Sequence, residues 1–227
     1  MLSGSSAGGI ATYIWADYIA DMLNPMTRFY SVPDSGMFLD PSQIESSLSG
    51  SNLYYRGDDK VFFEIANKDE NLPNSKCVAA NPDEPWECFS IQSALPHLET
   101  TSLFLQSSYD QYIINYLMHF NCLKEGVSGY SLADCNSTQM GVIEFYRSYY
   151  LKYIDEQIIP KGHSIWTISC SWHAGAYIDK FYDDELQKVP MVKGYTMNDA
   201  VYDFVVKNAK VKQIDQDAWP GNAPCAK

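Results

Sequence analysis

The stretch Leu2-Ser3-Gly4-Ser5-Ser6-Ala7-Gly8-Gly9 decides the fold predicted for this chain. It contains Gly4-x-Ser6-x-Gly8, the pattern of a nucleophile elbow, in which a serine lies on a sharp turn between a strand and a helix. Strand and helix backbones pass close together there, so we expect a Cβ at Gly4 or Gly8 to collide. The stretch therefore predicts Ser6 as a nucleophile. The alternative is a Gly/Ser-rich loop that matches a short pattern by chance.

The residues after the elbow have the apolar spacing of a helix. The positions that carry this spacing are Ile10, Tyr13, Ile14, Ile19, Met22 and Leu23. A helix that begins just past Ser6 aims free backbone N–H groups at an oxygen bound near the serine. The backbone N–H of Ala7 is therefore our candidate oxyanion donor.

Two later segments each combine a buried strand with a polar end. Residues 101–110 form an apolar run that ends in Asp110, and residues 164–173 form another that ends in His173. Serine, then acid, then histidine is the chain order of the α/β-hydrolase triad. Open α/β sheets hold their sites at the carboxyl ends of the strands. We therefore predict Asp110 as the acid and His173 as the base.

Composition and length indicate one folded domain. The chain has 227 residues, of which 46% are hydrophobic, 14% aromatic and 19% charged, values typical of a globular protein. Strands alternate with helices, and no linker or repeat interrupts them. We predict a single α/β domain over residues 1–227, with a largely parallel sheet flanked by helices.

Charge and hydropathy exclude several kinds of partner. The net charge of −12 and the absence of a Lys/Arg-rich run exclude a nucleic-acid partner. No apolar run approaches the ~20 residues of a membrane span. No cluster of metal ligands is visible, and triad chemistry needs neither a metal nor an organic cofactor, so we predict none. The sequence does not predict an oligomeric state.

The cysteines indicate a compartment. An even number lies in separated loops without a C-x-x-C pair, which suits disulfides in the secretory pathway or outside the cell. Because two of the pairs would enclose local polar loops, we predict the bridges Cys77–Cys88, Cys122–Cys135 and Cys170–Cys225. The alternative is six free thiols in a cytosolic protein. Asn136-Ser-Thr138 is a glycosylation sequon, which matters only if the protein is secreted.

Four stretches follow one another in a distinctive order: the elbow, Val32-Pro-Asp-Ser-Gly-Met-Phe-Leu-Asp40, Ser108-Tyr-Asp110 and Ser169-Cys-Ser-Trp-His173. Together they resemble the signatures of the pectin acetylesterase and Notum family of carboxylesterases, and the end of the chain is also similar. The resemblance implies an α/β-hydrolase-like fold with Ser6 as nucleophile, Asp110 as acid and His173 as base. It implies an acylated polysaccharide such as pectin, or a lipidated protein, as substrate.

Some positions depart from the family pattern. Ala174-Gly175 follows the histidine where plant members carry Cys-Gln, and Gln106-Ser-Ser stands where they carry Asn-Ala-Ala. Family members also begin well before the elbow, and that region supplies early strands and a Gly-rich oxyanion loop. We therefore expect the sheet to lack its N-terminal strands. The alternative to an active esterase is a non-catalytic remnant or binding protein with an incomplete oxyanion hole.

Further expectations concern single segments. Asp34, in the Asp34-Ser-Gly36 turn, is a candidate second acid, and the alternative is a turn aspartate that serves its own hydrogen bonding. Residues 66–100 are expected to be irregular and could form a lid pinned by a disulfide. We predict helices over residues 140–155, 174–186 and 196–207, the last with a capping box at Thr196-Met-Asn-Asp199, and a helix start at residues 41–45.

Overall fold

A parallel β-sheet forms the centre of the molecule. The structure is a computed structural model that describes residues 1–40, 56–66, 74–126, 129–177 and 191–221. In these ranges five parallel strands lie side by side in chain order. They are β1 (Leu2–Ser5), β2 (Ser31–Asp34), β3 (Leu103–Ser107), β4 (Ser164–Ile168) and β5 (Lys212–Ile214). The prediction of a largely parallel sheet is confirmed.

Helices cover both faces of the sheet. The described helices are α1 (Ala7–Met22), α2 (Arg56–Ala66), α3 (Ser75–Ala80), α4 (Ile91–Ala94), α5 (Ser137–Tyr153) and α6 (Met197–Val205). Two short antiparallel hairpins pair Lys124–Gly126 with Gly129–Ser131 and Met191–Val192 with Tyr195–Thr196. No helix in the described ranges is long and apolar enough to cross a membrane.

Alternation along the strands divides the core into two layers. Phe104 and Ile165 belong to the larger layer, which contains buried side chains of α1 and α5. Leu105 and Trp166 belong to the smaller layer, together with the buried face of α6. Because successive strand residues point to opposite faces, both faces of β3 and β4 are apolar, as expected for central strands of a parallel sheet.

Local signals fix the ends of the later helices. Asn136 caps α5 and exchanges side-chain hydrogen bonds with Gln139, and Thr196 does the same with Asp199 at α6. The predicted capping box at Thr196 is therefore confirmed. The helix predicted over 140–155 is also confirmed: α5 begins at Ser137 and runs into a π-helical turn at Ile154–Ile158.

The expectation of an irregular segment over residues 66–100 is wrong for its described part. That part contains α3, α4 and two 3₁₀ turns, Pro85–Phe89 and Leu95–His97. Two of the prolines that suggested loops, Pro85 and Pro96, lie in the first turns of these 3₁₀ helices, where a missing N–H costs no hydrogen bond.

The same segment packs along α1. The Tyr13 hydroxyl donates to the Phe89 carbonyl over 2.7 Å, and the Glu99 and Thr100 N–H groups donate to the Asp17 carboxylate over 2.9 and 2.7 Å. None of its described hydrogen bonds reaches the predicted triad, so the lid hypothesis gains no support from the described contacts.

Two of the predicted disulfides, Cys77–Cys88 and Cys122–Cys135, are confirmed. Cys170 is also disulfide-bonded. Its predicted partner, Cys225, lies outside the described residues, as do the helix start at 41–45 and most of the helix predicted over 174–186. The described beginning of that last segment is a 3₁₀ turn at Gly175–Tyr177.

Candidate active site

Ser6 occupies the sharp turn that the sequence predicted. It separates the last residue of β1 from the first residue of α1, with φ 59° and ψ −123°. A positive φ at a residue other than glycine costs about 1–3 kcal/mol and persists only where its surroundings enforce it. Here the Ser6 N–H donates to the Asp34 carbonyl over 3.0 Å, and the Ser6 carbonyl accepts from the Ile10 N–H over 3.1 Å.

The glycines of the elbow differ in how much space surrounds them. A Cβ at Gly4 would lie 2.5 Å from the Gly8 carbonyl oxygen, so the predicted collision is confirmed there. A Cβ at Gly8 would meet nothing within 4 Å, so that part of the prediction is wrong. The crowded helix position is Gly9, where a Cβ would lie 2.3 Å from the Asp34 carbonyl oxygen. The reason is that α1 crosses the end of β2 at Gly9.

The predicted acid and base are hydrogen-bonded to each other. His173 Nδ1 lies 2.9 Å from both carboxylate oxygens of Asp110. Because an ionised carboxylate only accepts hydrogen bonds, Nδ1 carries the hydrogen and Nε2 is left as the proton acceptor. Asp110 is 2% exposed, so water does not compete for this contact.

The environment of His173 favours its charged form. Burial lowers the pKa of His173, but the hydrogen bond and charge of Asp110, with a contribution from the charge of Asp34, outweigh it. The net effect raises the pKa of His173 above its ordinary value of 6.5. An imidazole of this kind is a stronger base, and its cation is stabilised once it has accepted a proton.

Gln106 is a supporting residue that the sequence indicated only as a departure from the family pattern. Its Nε2 donates to Asp110 Oδ2 over 2.8 Å, and its Oε1 accepts from the Met37 N–H over 3.0 Å. The Tyr112 N–H also donates to Asp110, over 2.8 Å. These bonds fix the orientation of the acid. The available signal was a polar residue inside the apolar run of β3.

Ser6, Asp110 and His173 all lie at the carboxyl edge of the sheet, because they follow β1, β3 and β4. In the described part of the chain no hydrogen bond joins the Ser6 side chain to His173. Catalytic hydrogen bonds are often long in enzymes without substrate and tighten when it binds. The structure thus pairs two of the predicted residues directly and holds the third on the same edge.

The Ala7 N–H is at the start of α1, directly beside Ser6. The first N–H groups of a helix have no acceptor within the helix, and the helix dipole adds positive potential there. Among the described hydrogen bonds, none uses the Ala7 N–H as a donor. This group can therefore donate to an oxyanion that forms on Ser6.

Aromatic side chains continue from His173 towards the surface. The Tyr112 ring stacks on the His173 ring with centroids 5.1 Å apart, and the Tyr116 ring lies 4.8 Å from Tyr112. The Phe38 ring lies 6.1 Å from His173. Tyr116 is 63% exposed, so the column of rings begins at the base and ends in solvent.

Comparisons with known proteins place the sequence among ester hydrolases. A family profile described as Pectinacetylesterase matches residues 1–226. Among curated proteins, the chain is 25% identical to pectin acetylesterase 5 and 26% identical to pectin acetylesterase 4 of Arabidopsis thaliana, each over 99% of its length. It is also 30% identical to the palmitoleoyl-protein carboxylesterase NOTUM of Drosophila melanogaster. That similarity covers 49% of this chain and 16% of NOTUM.

Solved structures give the same fold. Two crystal forms of the Wnt deacylase Notum from Drosophila match with TM-scores of 0.71 and 0.72, at 19% and 17% identity. They cover 100% and 99% of this chain and 59% and 58% of their own chains. The predicted α/β-hydrolase-like fold is thereby confirmed. The chain spans about half the length of the two plant relatives, 51% and 53%.

Proposed function

Because the chain belongs to the pectinacetylesterase family, we propose that it is a serine carboxylesterase that hydrolyses an O-acyl ester. The observation that carries the proposal is the buried hydrogen bond between Asp110 and His173, at the sheet edge where Ser6 occupies a strained turn. A positive φ at a serine between a strand and a helix is the geometry of an exposed nucleophile.

The proposed mechanism uses the three residues in sequence. Ser6 Oγ attacks the ester carbonyl carbon while His173 Nε2 accepts its proton, because an unassisted serine hydroxyl is a weak nucleophile. Asp110 stabilises the imidazolium, and the Ala7 N–H donates to the oxyanion of the tetrahedral intermediate. The imidazolium then protonates the leaving alcohol. Water repeats the cycle on the acyl-enzyme and releases the acid.

For the substrate, we favour an acetyl ester of a polysaccharide such as pectin. The similarity to two plant pectin acetylesterases extends over 99% of the chain, whereas the sequence similarity to the palmitoleoyl-protein carboxylesterase covers 49%. The exposed ring of Tyr116, at the outer end of the column that begins at His173, is compatible with a sugar ring, which packs against aromatic surfaces. A lipid ester on a protein is the second candidate.

The two local disulfides support a secreted protein.

Hydrolysis of p-nitrophenyl acetate and p-nitrophenyl octanoate tests this proposal. We expect turnover by this chain, or by a version extended to the length of its relatives, that is lost in Ser6→Ala. Ser148→Ala, at an exposed serine of α5, is the matched control and keeps the wild-type rate. A higher kcat/KM on acetate favours the acetylesterase, and a higher value on octanoate favours the lipid esterase.

The absence of Ser6-dependent hydrolysis would contradict the proposal. If the extended protein is folded and hydrolyses neither ester in a Ser6-dependent manner, the esterase proposal is wrong. A non-catalytic member of the family, acting as a binding protein, then becomes the better interpretation.

A further inference from the structure

Asp34 is a second buried carboxylate at the site, and the triad mechanism does not use it. It is the last residue of β2, it is 2% exposed, and it lies opposite Ser5 in the register of β1 with β2. Its described hydrogen bonds do not reach His173, so it is not a second acid for that base. They are not confined to its own turn either, which was the alternative expected for it.

Three donors converge on the Asp34 carboxylate. Oδ2 accepts from Ser5 Oγ over 2.5 Å and from the Ala176 N–H over 3.0 Å, and Oδ1 accepts from Ser35 Oγ over 2.9 Å. Burial raises the pKa of Asp34, and these three hydrogen bonds partly offset that effect. The Asp34 carboxylate thus accepts hydrogen bonds from the elbow, from its own turn and from the loop after His173.

Ser35 extends the same connection. Its hydroxyl donates to Asp34 and accepts from the Ala174 N–H over 2.9 Å. Asp34 and Ser35 together therefore bind the N–H groups of Ala174 and Ala176, both within three positions of the base. At the other end, Ser5 immediately precedes the nucleophile. The Asp34 carboxylate and the Ser35 hydroxyl thus connect the elbow with the loop after His173.

The backbone around these contacts is strained. Ser35 and Ala174 have φ values of 49° and 59°, in the left-handed region that residues other than glycine rarely adopt. Such conformations persist only where the surroundings enforce them. The hydrogen bond between Ser35 Oγ and the Ala174 N–H joins these two strained residues, which shows where that enforcement acts.

We propose that Asp34 is a positioning residue that sets the distance between Ser6 and His173. It does so by holding the elbow and the base loop, residues 169–176, on one carboxylate. The inference rests on the proposed function for its catalytic consequence. The mechanical part is independent of it, because the hydrogen bonds to Ser5, Ala174 and Ala176 exist whether or not the site turns over an ester.

The test compares Asp34→Asn with Ser5→Ala and Ser35→Ala, which remove one end of the connection each. Asn keeps the size of the side chain but cannot accept from all three donors. Because displacement of a catalytic group by about 1 Å can cost about 10²-fold, we expect Asp34→Asn to lower kcat by about that factor with KM within about twofold. The serine variants show smaller losses of kcat. Combining Ser35→Ala with Asp34→Asn causes a smaller loss of kcat than the two single losses multiplied, because both variants weaken the same connection.

Asp17→Asn is the matched control, since Asp17 also accepts two backbone N–H groups but lies on α1 away from the triad. It is expected to keep kcat within about twofold of wild type, because no step of the mechanism uses it. Kinetics on p-nitrophenyl acetate are read together with amide hydrogen exchange of the peptide that contains residues 174–176. The exchange rate of this peptide rises in Asp34→Asn and Ser35→Ala and stays at the wild-type value in Asp17→Asn.

The two readouts separate the two proposals. If the wild-type protein has no Ser6-dependent activity, the esterase proposal fails, and the exchange measurement still tests the connection. If Asp34→Asn does not fold, Ser5→Ala and Ser35→Ala supply the result. Unchanged exchange of residues 174–176 in folded Asp34→Asn or Ser35→Ala overturns the inference, and so does a kcat of folded Asp34→Asn that stays within twofold of wild type in an active enzyme.

Discussion

His163 makes the stability of this protein depend on pH. It is 6% exposed, its Nδ1 accepts from the Ser102 N–H over 3.2 Å, and its ring packs edge-on against Phe104. Burial, assisted by the positive charge of Lys161, lowers the pKa of His163 from 6.5 to about 4. The folded protein therefore holds this imidazole in its neutral form through the range in which the unfolded chain takes up a proton.

The direction and size of the effect follow from proton linkage. Because the pKa of His163 is lower in the folded protein than in the unfolded chain, its contribution to stability is present in full above pH 6.5. That contribution is lost as the pH falls towards 4. The difference between the two pKa values corresponds to about 3 kcal/mol of unfolding free energy, of which about 2 kcal/mol is already lost at pH 5. That loss is a large fraction of a typical stability of about 5–15 kcal/mol.

The assay is urea unfolding of the wild type and of His163→Asn between pH 7.5 and 4.5. Asn can still accept from the Ser102 N–H but does not titrate, so the difference in unfolding free energy between the two proteins should shrink by about 2 kcal/mol between pH 7.5 and pH 5. Carboxylates titrate in both proteins and cancel in that difference. Lys161→Gln should reduce the effect, because it removes one cause of the lowered pKa. A difference that does not change with pH would refute the argument.

Two further predictions concern the site. Gly9→Ala should destabilise the protein by roughly 2 kcal/mol or more and lower its activity, because the added Cβ would lie 2.3 Å from a backbone carbonyl oxygen. Gly8→Ala is the matched variant in open space and should leave stability unchanged or slightly increased. Equal thermal unfolding midpoints for the two variants would contradict this prediction. Because the pKa of His173 is raised and only neutral imidazole can accept the Ser6 proton, kcat/KM should fall as the pH drops through a pKa above 6.5. If the activity on p-nitrophenyl acetate falls only below pH 6.5, the pKa of His173 is not raised in the folded protein.

Local patterns predicted the residues that carry the proposed chemistry. Ser6 was visible because glycines and a helical spacing surround it, and Asp110 and His173 because each ends an apolar run. The bridges Cys77–Cys88 and Cys122–Cys135 were visible because they close short loops. In each case the informative residues lie within a few positions of one another, or a short chain segment connects them.

The supporting contacts could not be predicted in the same way. Asp34 bonds to Ala176, 142 positions away, and this contact depends on strand order and on the path of the loop after β4. Gly8 and Gly9 look alike in the sequence, and only the crossing of α1 over β2 distinguishes them. His163 follows a polar turn and resembles a surface residue, yet it is buried against Phe104 because β3 and β4 are central strands.

The side-by-side order of the strands also limits how the base loop can vary. A nucleophile after β1 and a base after β4 are three strand spacings apart, a separation of about 14 Å. The loop after β4 closes this separation in steps that two contacts mark: the Cys170 carbonyl accepts from Ser107 Oγ at the end of β3, and the Ala174 N–H donates to Ser35 Oγ just past β2. The side chains of His173 and Ser6 span what remains. Ordinary surface loops tolerate insertions and deletions, but a change of length between these two contacts would move His173 relative to the elbow. The residue count of this loop is therefore as much a requirement of the site as the identity of His173.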